Sequence, residues 1–364
     1  MAAKRKNHSN QPELDIPGAR ASAPPARGKA AAKGLAAVAP CNGGEHVVAE
    51  AMPGTATPQP FNPRKAEAPL HRRVDRSFLD YASYVIRDRA IPSLADGLKP
   101  VQRRILWAMH RSDDGRFTKV ANIVGDTMKF HPHGDAAIGD ALVVLVNKRY
   151  LIEGQGNFGN IHTGDGAAAP RYIEARLTDL ARTELFNDDI TETVPSYDGR
   201  NREPVALPSK LPLTLMLGTE GIAVGLSSRI LPHNFPELLE AQIAILKKQP
   251  FRCLPDFPTG GLMDARDYRD GCGSVRVRAR IKVRDESTVV IKEIPPSTTV
   301  ETLLGSIEDA TRKGKLKVKS INDFTSEEVE IEIKCPPGVN AEQMVDALYA
   351  FTDCEVTIAS RIIV

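Results

Sequence analysis

The sequence has 364 residues, of which 41% are hydrophobic and 26% charged, and its formal net charge is only +2. This is the composition of an ordinary globular protein of two or three domains, and no apolar run reaches the ~20 residues that a membrane-spanning helix needs, so we expect no membrane partner. The five cysteines are odd in number and include no C-x-x-C pair, which suggests neither a disulfide framework nor a zinc site and fits a reducing compartment.

The first segment, residues 1–77, is rich in Ala, Pro, Gly and basic residues and shows no sustained period. It holds twelve Lys/Arg against six Asp/Glu, so the rest of the chain is net acidic, and any DNA-binding surface there must be a local basic patch. We predict a disordered basic tail. Its Lys4-Arg5-Lys6 run either attracts DNA weakly through phosphate charge or has no defined role.

Four helices are predicted next. The first runs from Phe78 to Arg89, and the second begins at Lys99-Pro100, because proline suits a helix entrance. A third covers Thr118 to Met128. A fourth runs from Ala136 to about Val146, with Asp135 as its N-cap.

The stretch GQGNFG at Gly154–Gly159 follows these helices, and its three glycines favour tight turns over a helix. Several short helices followed by turn-rich strands predict a helix-turn-helix unit with a wing, and GQGNFG is the candidate wing.

The next stretch, Ala167–Leu177, reads AAAPRYIEARL and predicts a fifth helix. Ile173, Leu177 and Leu180 recur at three- and four-residue spacing and can share one buried face. Tyr172 would then lie in the first turn, where unpaired N–H groups and the helix dipole favour a phosphate. The alternative is an ordinary half-buried tyrosine with its hydroxyl in water.

The second half of the chain mixes strands and helices. VRVRARIKV at Val275–Val283 alternates and predicts a strand, and Thr288–Ile294 can pair with it as a hairpin. EEVEIEIK at Glu327–Lys334 alternates again, while Val300–Thr311 and Ala341–Phe351 fit helices. The predicted fold class is therefore α+β with an antiparallel sheet.

One face of the strand at 275–283 is basic. Its four cations are Arg276, Arg278, Arg280 and Lys282. This face either tracks DNA phosphates or is simply a solvated strand surface, and the sequence favours neither interpretation.

Seven motifs follow one another in this chain. They are DGLKPVQRRILWAM (96–109), HPHGD (131–135), GQGNFG, AAAPRYIEARL, GIAVG (221–225), LPHNFPEL (231–238) and DFPTGG (256–261). In this order they resemble the breakage–reunion (A) subunit of bacterial type IIA DNA topoisomerases. Gln102, where gyrase A subunits usually carry histidine, and the ending FTDCEVTIA are more similar to the A subunit of topoisomerase IV.

After the basic tail over residues 1–77, the resemblance implies a winged-helix DNA-cleavage domain over 78–195 and a tower-like domain with an antiparallel sheet over 196–364. Family members continue into a coiled-coil dimerisation gate and a DNA-wrapping domain. We therefore expect this chain to be a fragment or a truncated gene product.

The resemblance also implies a mechanism in which Tyr172 attacks a DNA phosphodiester and becomes linked to the 5′ phosphate. Arg171 is expected to stabilise the charge on that phosphate, because a planar guanidinium matches phosphate oxygens. The matching motifs assign Arg89 and His133 to the same catalytic group, His133 as a hydrogen-bond donor or in proton transfer. Outside this constellation His133 would be read as a loop or capping residue.

The resemblance places further DNA-contacting residues at the second helix, in the motif HPHGD (131–135), called the histidine motif below, and in the GIAVG loop. They are Lys99, Arg103, Arg104, His131 and Ile222. Lys99 and Arg103 would clamp the DNA backbone, Asp96 would orient one of these cations, and Ile222 would enter a base step and bend the duplex. Without the motif, Ile222 would be read as core packing.

The family's cofactors imply a partner. In the family, divalent ions, here Mg²⁺, are bound by acidic residues of the ATPase B subunit. The sequence shows no compact carboxylate cluster that would replace those residues, so we expect no metal site on this chain. The sequence also contains no G-x-x-x-x-G-K-[ST] motif, so ATP would be hydrolysed by the partner. We expect a homodimer within an A2B2 heterotetramer that acts on double-stranded DNA in the cytoplasm, associated with the nucleoid. The alternatives are a non-catalytic winged-helix DNA-binding module and a gyrase A subunit.

Overall fold

The computed structural model describes residues 69–326 and 328–364. Most of the predicted basic tail, residues 1–68, lies outside the described residues. Helix α1 spans Pro69–Val85, so the chain is already helical before Phe78 and the predicted starting point of order is wrong. A single π-helical turn, Ile86–Ala90, follows directly and ends the helix close to the predicted end at Arg89. Within these ranges no helix is both long and apolar enough to cross a bilayer.

The first part of the described chain combines short helices with a small sheet. Its further elements are α2 (Pro100–Arg111), β1 (Thr118–Lys119), α3 (Val120–Thr127), α4 (Asp135–Asn147), β2 (Ile152–Gln155), β3 (Glu174–Leu177) and α5 (Asp179–Glu184). The three strands pair antiparallel in the order β1-β3-β2. Helices α2, α3 and α4 pack with this sheet around one apolar core.

Helix α2 begins where the sequence predicts, with Lys99 as its N-cap and Pro100 in the first helical position. The Gln102 side chain accepts a hydrogen bond from the Lys99 backbone N–H at 3.0 Å, so one donor at the helix entrance is satisfied. Ile105 and Met109, four residues apart on one face of the helix, are buried.

The predicted helix around Tyr172 is wrong. Arg171 and Tyr172 lie in a turn, and the following residues form strand β3. The buried residues of this stretch alternate as Ile173, Ala175 and Leu177. A spacing of four residues fits both a helical and a strand period, and the buried alanine between the two larger side chains is what identifies the strand.

Two predicted helix starts also shift. Thr118 and Lys119 pair with strand β3, so α3 begins at Val120 and not at Thr118. Gly134 is the N-cap of α4, and Asp135 is its first helical residue. Asp135 still places a negative charge in the first turn, where the helix dipole favours it.

The middle of the chain consists of hairpins and two helices. Its elements are β4 (Thr193–Pro195), β5 (Arg202–Pro204), α6 (Leu213–Leu217), β6 (Thr219–Ile222), β7 (Ser227–Ile230), α7 (Phe235–Leu246) and β8 (Leu262–Asp264). Strands β4 and β5 form one antiparallel pair, and β6 and β7 form another. Leu207, Leu213 and Leu238 from this region are buried in the same core as α2 and α4.

The last part is built on two antiparallel sheets. Its elements are β9 (Ser274–Arg278), β10 (Arg280–Asp285), β11 (Thr288–Glu293), α8 (Val300–Arg312), β12 (Ser320–Asp323), β13 (Ile331–Lys334), α9 (Ala341–Phe351) and β14 (Glu355–Ala359). The strand orders are β10-β11-β13-β12 and β14-β9-β8. The predicted hairpin and the two predicted helices are confirmed, and so is the α+β class with antiparallel pairing.

The strand predicted over Val275–Val283 divides into β9 and β10, which belong to different sheets. The division falls at Ala279, which is fully buried and donates its N–H to the Cys354 carbonyl at 2.7 Å. One alternating stretch therefore serves two sheets. The domain boundaries and the winged-helix and tower descriptions stay predictions.

Candidate active site

Tyr172 lies on an exposed turn between α3 and the small sheet. Its side chain is 65% exposed, and its backbone N–H donates to the Ala169 carbonyl at 2.9 Å, which closes the turn. The guanidinium carbon of Arg171 lies 4.6 Å from the centre of the Tyr172 ring. A phenol hydroxyl and a guanidinium with no ion pair among the described residues thus face the same solvent region.

The turn is fixed to the N-terminus of α3. The Ala121 N–H donates to the Pro170 carbonyl at 3.1 Å, and the Val120 N–H donates to the Ile173 carbonyl at 3.0 Å. These are the first two N–H groups of α3, which a helix leaves without internal partners. Tyr172 is therefore near the positive end of a helix dipole, but the dipole belongs to α3 and not to a helix of its own.

Pro170 also connects the turn to α4. A methyl group built on Gly139 would lie 3.8 Å from the Pro170 ring, which is ordinary contact distance. Gly139 is about one turn along α4 from Asp135, where the histidine motif ends. The turn at residues 170–172, called the tyrosine turn below, therefore lies beside the helix that follows the histidine motif.

The histidine motif forms the second group of the site, between α3 and α4. The His131 and His133 rings meet edge to face with centres 4.7 Å apart. The Tyr84 hydroxyl of α1 lies 2.5 Å from His133 Nε2. Tyr84 thus holds the imidazole of His133 in place from a helix that lies 49 residues earlier in the chain.

His131 is buried and electrically neutral. Arg104 Nη1 lies 3.0 Å from His131 Nδ1, and because a guanidinium only donates, Nδ1 must accept and the ring proton must be on Nε2. Burial, and then the charges of Arg104, His133 and Arg89, lower the pKa of His131 to about 4. His131 can therefore offer a neutral N–H donor at neutral pH.

Arg104 is itself paired. Its guanidinium makes two hydrogen bonds to the Glu203 carboxylate of β5, at 2.5 and 2.9 Å. Its charge is balanced inside the protein, so its predicted DNA contact would compete with a bidentate ion pair.

Arg103 is more deeply buried than Arg104 and is also bound within the protein. Its side chain is 9% exposed and donates to both oxygens of Asp96, at 2.6 and 2.8 Å, and to the Leu98 carbonyl at 3.1 Å. Asp96 also accepts from the backbone N–H groups of Leu98 and Leu207, at 3.1 and 2.9 Å. Asp96 binds one of the predicted cations, and this geometry supports a structural role for Arg103. Its direct contact with DNA stays a prediction.

Arg89 differs from these two arginines. It lies on the π-helical turn after α1, it is exposed, and it has no hydrogen bond or ion pair among the residues that the structure describes. Its charge acts on His131, so the two residues are near one another. Arg89 is therefore a cation available to an outside anion beside the two histidines.

Lys99 contacts the hairpin β6–β7, and Ile222 lies at the tip of the same hairpin. Ile222 is 79% exposed at the end of β6, so it is not core packing. Lys99 Nζ donates to the Glu220 carbonyl of the same strand at 2.6 Å. Burial lowers the pKa of Lys99, and the nearby Glu220 carboxylate partly opposes this effect.

The basic strand face is largely neutralised. Arg276 and Arg278 contact Glu355 at 3.5 and 2.5 Å, and Arg280 contacts Glu293 at 2.7 Å. Of the two interpretations left open by the sequence, this pairing favours a solvated strand surface over one that tracks DNA phosphates.

The predicted catalytic residues fall into two groups. Arg89 and His133 lie together with His131, whereas Tyr172 and Arg171 lie together on the turn. Within residues 69–326 and 328–364 no hydrogen bond, ion pair or ring contact joins Tyr172 to Arg89 or His133.

Two further members of the site escape sequence reasoning. Tyr84 and Glu203 contact residues 49 and 99 positions away in the chain, and neither lies in a motif or at a diagnostic spacing. Among the described residues, no group of three or more His, Cys, Asp or Glu side chains could hold a metal ion. The Mg²⁺ and ATP requirements stay predictions.

Comparison with known proteins gives consistent results. Residues 89–364 match the family model that describes the A subunit of DNA gyrase/topoisomerase IV. The chain is 53% identical over 287 residues to the A subunit of DNA topoisomerase 4 from Borreliella burgdorferi, covering 79% of this chain and 46% of that protein. It is 39% identical over 308 residues to the A subunit of DNA gyrase from Aminobacterium colombiense, covering 76% of this chain and 38% of that protein. It is 41% identical over 282 residues to the A subunit of DNA topoisomerase 4 from Neisseria gonorrhoeae, covering 70% of this chain and 37% of that protein. The chain thus spans less than half the length of these relatives.

Proposed function

Because the chain belongs to the family formed by the A subunits of DNA gyrase and topoisomerase IV, we propose that it carries the DNA-cleaving tyrosine of a type IIA topoisomerase. The observation that carries the proposal is the exposed Tyr172 hydroxyl beside the unpaired Arg171 guanidinium, on a turn fixed to the N-terminus of α3. An exposed phenol next to free cationic donors is suited to meet a phosphodiester.

The reaction is a transesterification. The Tyr172 oxygen forms a bond to a backbone phosphorus while the bond from that phosphorus to the 3′ oxygen breaks. The enzyme becomes linked to the 5′ phosphate, the 3′ oxygen leaves as a hydroxyl, and attack by that hydroxyl reverses the step. The number of phosphoester bonds is unchanged, so resealing needs no separate energy source.

The chain must help the phenol to react. A free tyrosine phenol has a pKa of ~10, so only about one in a thousand is ionised at neutral pH. Arg171 would stabilise the negative charge that develops on the phosphate oxygens, through donors that match phosphate geometry. The positive end of the α3 dipole would act in the same direction.

Arg89, His131 and His133 would together hold the DNA backbone and take part in proton transfer. Arg89 offers an unpaired charge, His131 a neutral N–H donor, and His133 an imidazole already held by Tyr84. His133 could give the departing 3′ oxygen its proton or take the phenol proton.

Two copies of the chain are required for a double-strand break. One tyrosine can form one phosphotyrosine bond, so cleavage of both strands needs two. We propose a homodimer that works with an ATPase B subunit, in an A2B2 assembly, for relaxation or decatenation of DNA in the cytoplasm. The B subunit would supply the Mg²⁺ ions and hydrolyse ATP.

A covalent-trapping assay tests the proposal. The chain is mixed with its B subunit, Mg²⁺, ATP and supercoiled DNA, and the reaction is stopped with detergent. We expect protein attached to 5′ DNA ends with the wild-type chain and none with Tyr172→Phe. Tyr197→Phe is the matched control, because Tyr197 is also exposed, at 59%. Absence of an adduct with the wild type, or an adduct that survives Tyr172→Phe, would overturn the proposal.

The second candidate is a non-catalytic DNA-binding module. It is favoured because no hydrogen bond, ion pair or ring contact among the described residues joins Tyr172 to Arg89 or His133. In that case the wild-type chain would bind DNA and give no adduct. Gyrase activity, the alternative within the family, would appear as introduction of negative supercoils into relaxed DNA with ATP.

A further inference from the structure

The hairpin β6–β7 presents Ile222 to solvent from a buried base. Ile222 pairs with Ser227 at the tip, while Gly221 and Ser228, one register step closer to the base, are buried. A two-stranded hairpin is marginally stable alone, so the direction of its tip depends on what holds its base.

Two lysine ammonium groups hold that base. Lys99 Nζ donates to the Glu220 carbonyl at 2.6 Å, and Lys148 Nζ donates to the Leu217 carbonyl, just before the first strand of the hairpin. Lys99 is the N-cap of α2 and Lys148 is the C-cap of α4. The hairpin is thereby connected to α2 and to α4, the helix that begins at the end of the histidine motif.

The two lysines are placed at an energetic cost. Burial lowers the pKa of both groups. The Glu220 carboxylate partly opposes this effect at Lys99, and the charge of Lys99 lowers the pKa of Lys148 further. Neither group forms a salt bridge with a described carboxylate. Like charges brought together in a partly desolvated place are unfavourable, and backbone carbonyls are their only described acceptors.

A glycine contact fixes the same base from another side. A methyl group built on Gly221 would collide with the Ala90 carbonyl oxygen, so the hairpin packs directly on the π-helical turn that carries Arg89. The direction of Ile222 and the position of Arg89 are therefore mechanically connected.

We propose that Lys148, together with Lys99, is a positioning residue that sets the angle at which Ile222 enters DNA. The proposal rests on the role that the family resemblance implies for Ile222, an apolar wedge that enters a base step and bends the duplex. It assigns Lys99 to the hairpin and not to a phosphate. When either ammonium group is removed, the tip loses its fixed direction and the wedge bends DNA less, although the phosphate contacts remain.

The test measures bending separately from binding and from cleavage. A duplex of about 30 base pairs carries a donor and an acceptor dye at its ends, and energy transfer reports its bend in the presence of Mg²⁺ and the B subunit. We expect Lys148→Met to lower the bent-to-straight ratio about tenfold, as does Lys99→Met, and Lys148→Arg to restore it because a donor is present again. Lys247→Met is the matched control, since Lys247 is also a helix C-cap and is exposed.

Two further readouts separate positioning from phosphate contact. The slope of log affinity against log salt stays unchanged in Lys148→Met, whereas loss of a phosphate contact would reduce it by ~0.9. Lys148→Met combined with Ile222→Ala lowers bending no more than Ile222→Ala alone, because both changes remove the same event.

Each remaining outcome has one meaning. If the wild type bends DNA and Ile222→Ala lowers bending while Lys148→Met does not, the inference is wrong and the proposed wedge stands. If Ile222→Ala has no effect, the wedge and the inference both fail. The test measures bending and not cleavage, so a failure of the catalytic proposal alone does not affect it.

Discussion

The two halves of the candidate site hold their cations in opposite ways. Around the helix α2, Arg103 and Arg104 are each bound by a carboxylate, Asp96 and Glu203. On the π-helical turn and the tyrosine turn, Arg89 and Arg171 have no ion pair among the described residues. The difference shows that arginines of one candidate site can serve different purposes, because a paired guanidinium holds the protein together and an unpaired one is available to an outside anion.

The largest effect is expected when the buried pair is broken. Asp96→Ala leaves Arg103 buried without its partner and should lower the free energy of unfolding by about 3–5 kcal/mol. Urea unfolding measures this loss. Asp88→Ala is the control, because its pair with Arg87 is exposed, and it should cost about 1 kcal/mol or less. A loss below about 1 kcal/mol for Asp96→Ala would mean that Arg103 is not structurally committed.

The next effect concerns the unpaired arginine of the tyrosine turn. Arg171→Ala should slow single-turnover DNA cleavage by ~10²–10³-fold, the usual cost of removing one donor to a developing charge, and should leave unfolding unchanged. Arg200→Ala is a suitable control, since Arg200 is 86% exposed. If cleavage slows less than about tenfold, Arg171 does not stabilise the transition state.

A smaller effect concerns the neutral histidine beside Arg104. The pKa of His131 is about 4 in the folded protein, below the ordinary 6.5, so the unfolded chain binds more protons between these values. The stabilisation is fully present above pH 6.5 and is lost as the pH falls towards 4, by at most ~1.4 kcal/mol per pH unit for one group.

This dependence is measured as the difference in unfolding free energy between the wild type and His131→Gln across that range. The difference is needed because burial also lowers the pKa values of His162 and His233. His71→Gln, at an exposed position of α1, serves as the control. Parallel curves for the wild type and His131→Gln would show that His131 is not held neutral.

The smallest effect is expected when a paired arginine is set free. Glu203→Gln removes the charge that balances Arg104, so DNA binding should tighten slightly and its salt dependence should steepen by ~0.9 in slope. Glu342→Gln removes the same charge from the exposed start of α9 and should leave the slope unchanged. An unchanged slope in Glu203→Gln would mean that Arg104 does not reach DNA even when it is unpaired.

Much of the fold follows from local patterns. Helices α2, α8 and α9 begin at or close to their predicted residues, because a proline or a capping residue marks each start. The hairpin β10–β11 also follows from its alternation. The tyrosine turn does not, because Ile173 and Leu177 fit two periods, and only pairing with β1 and β2 selects the strand.

The sequence by itself determined which residue types stand in which motif, and therefore the family and the candidates Tyr172, Arg171, Arg89 and His133. Only the tertiary structure decided which cations form ion pairs within the protein and which do not. Asp96, Glu203 and Tyr84 select their partners across 7, 99 and 49 residues of chain. Whether a charge is paired depends on which side chains folding brings within about 3 Å of it, and most of these partners are distant in sequence.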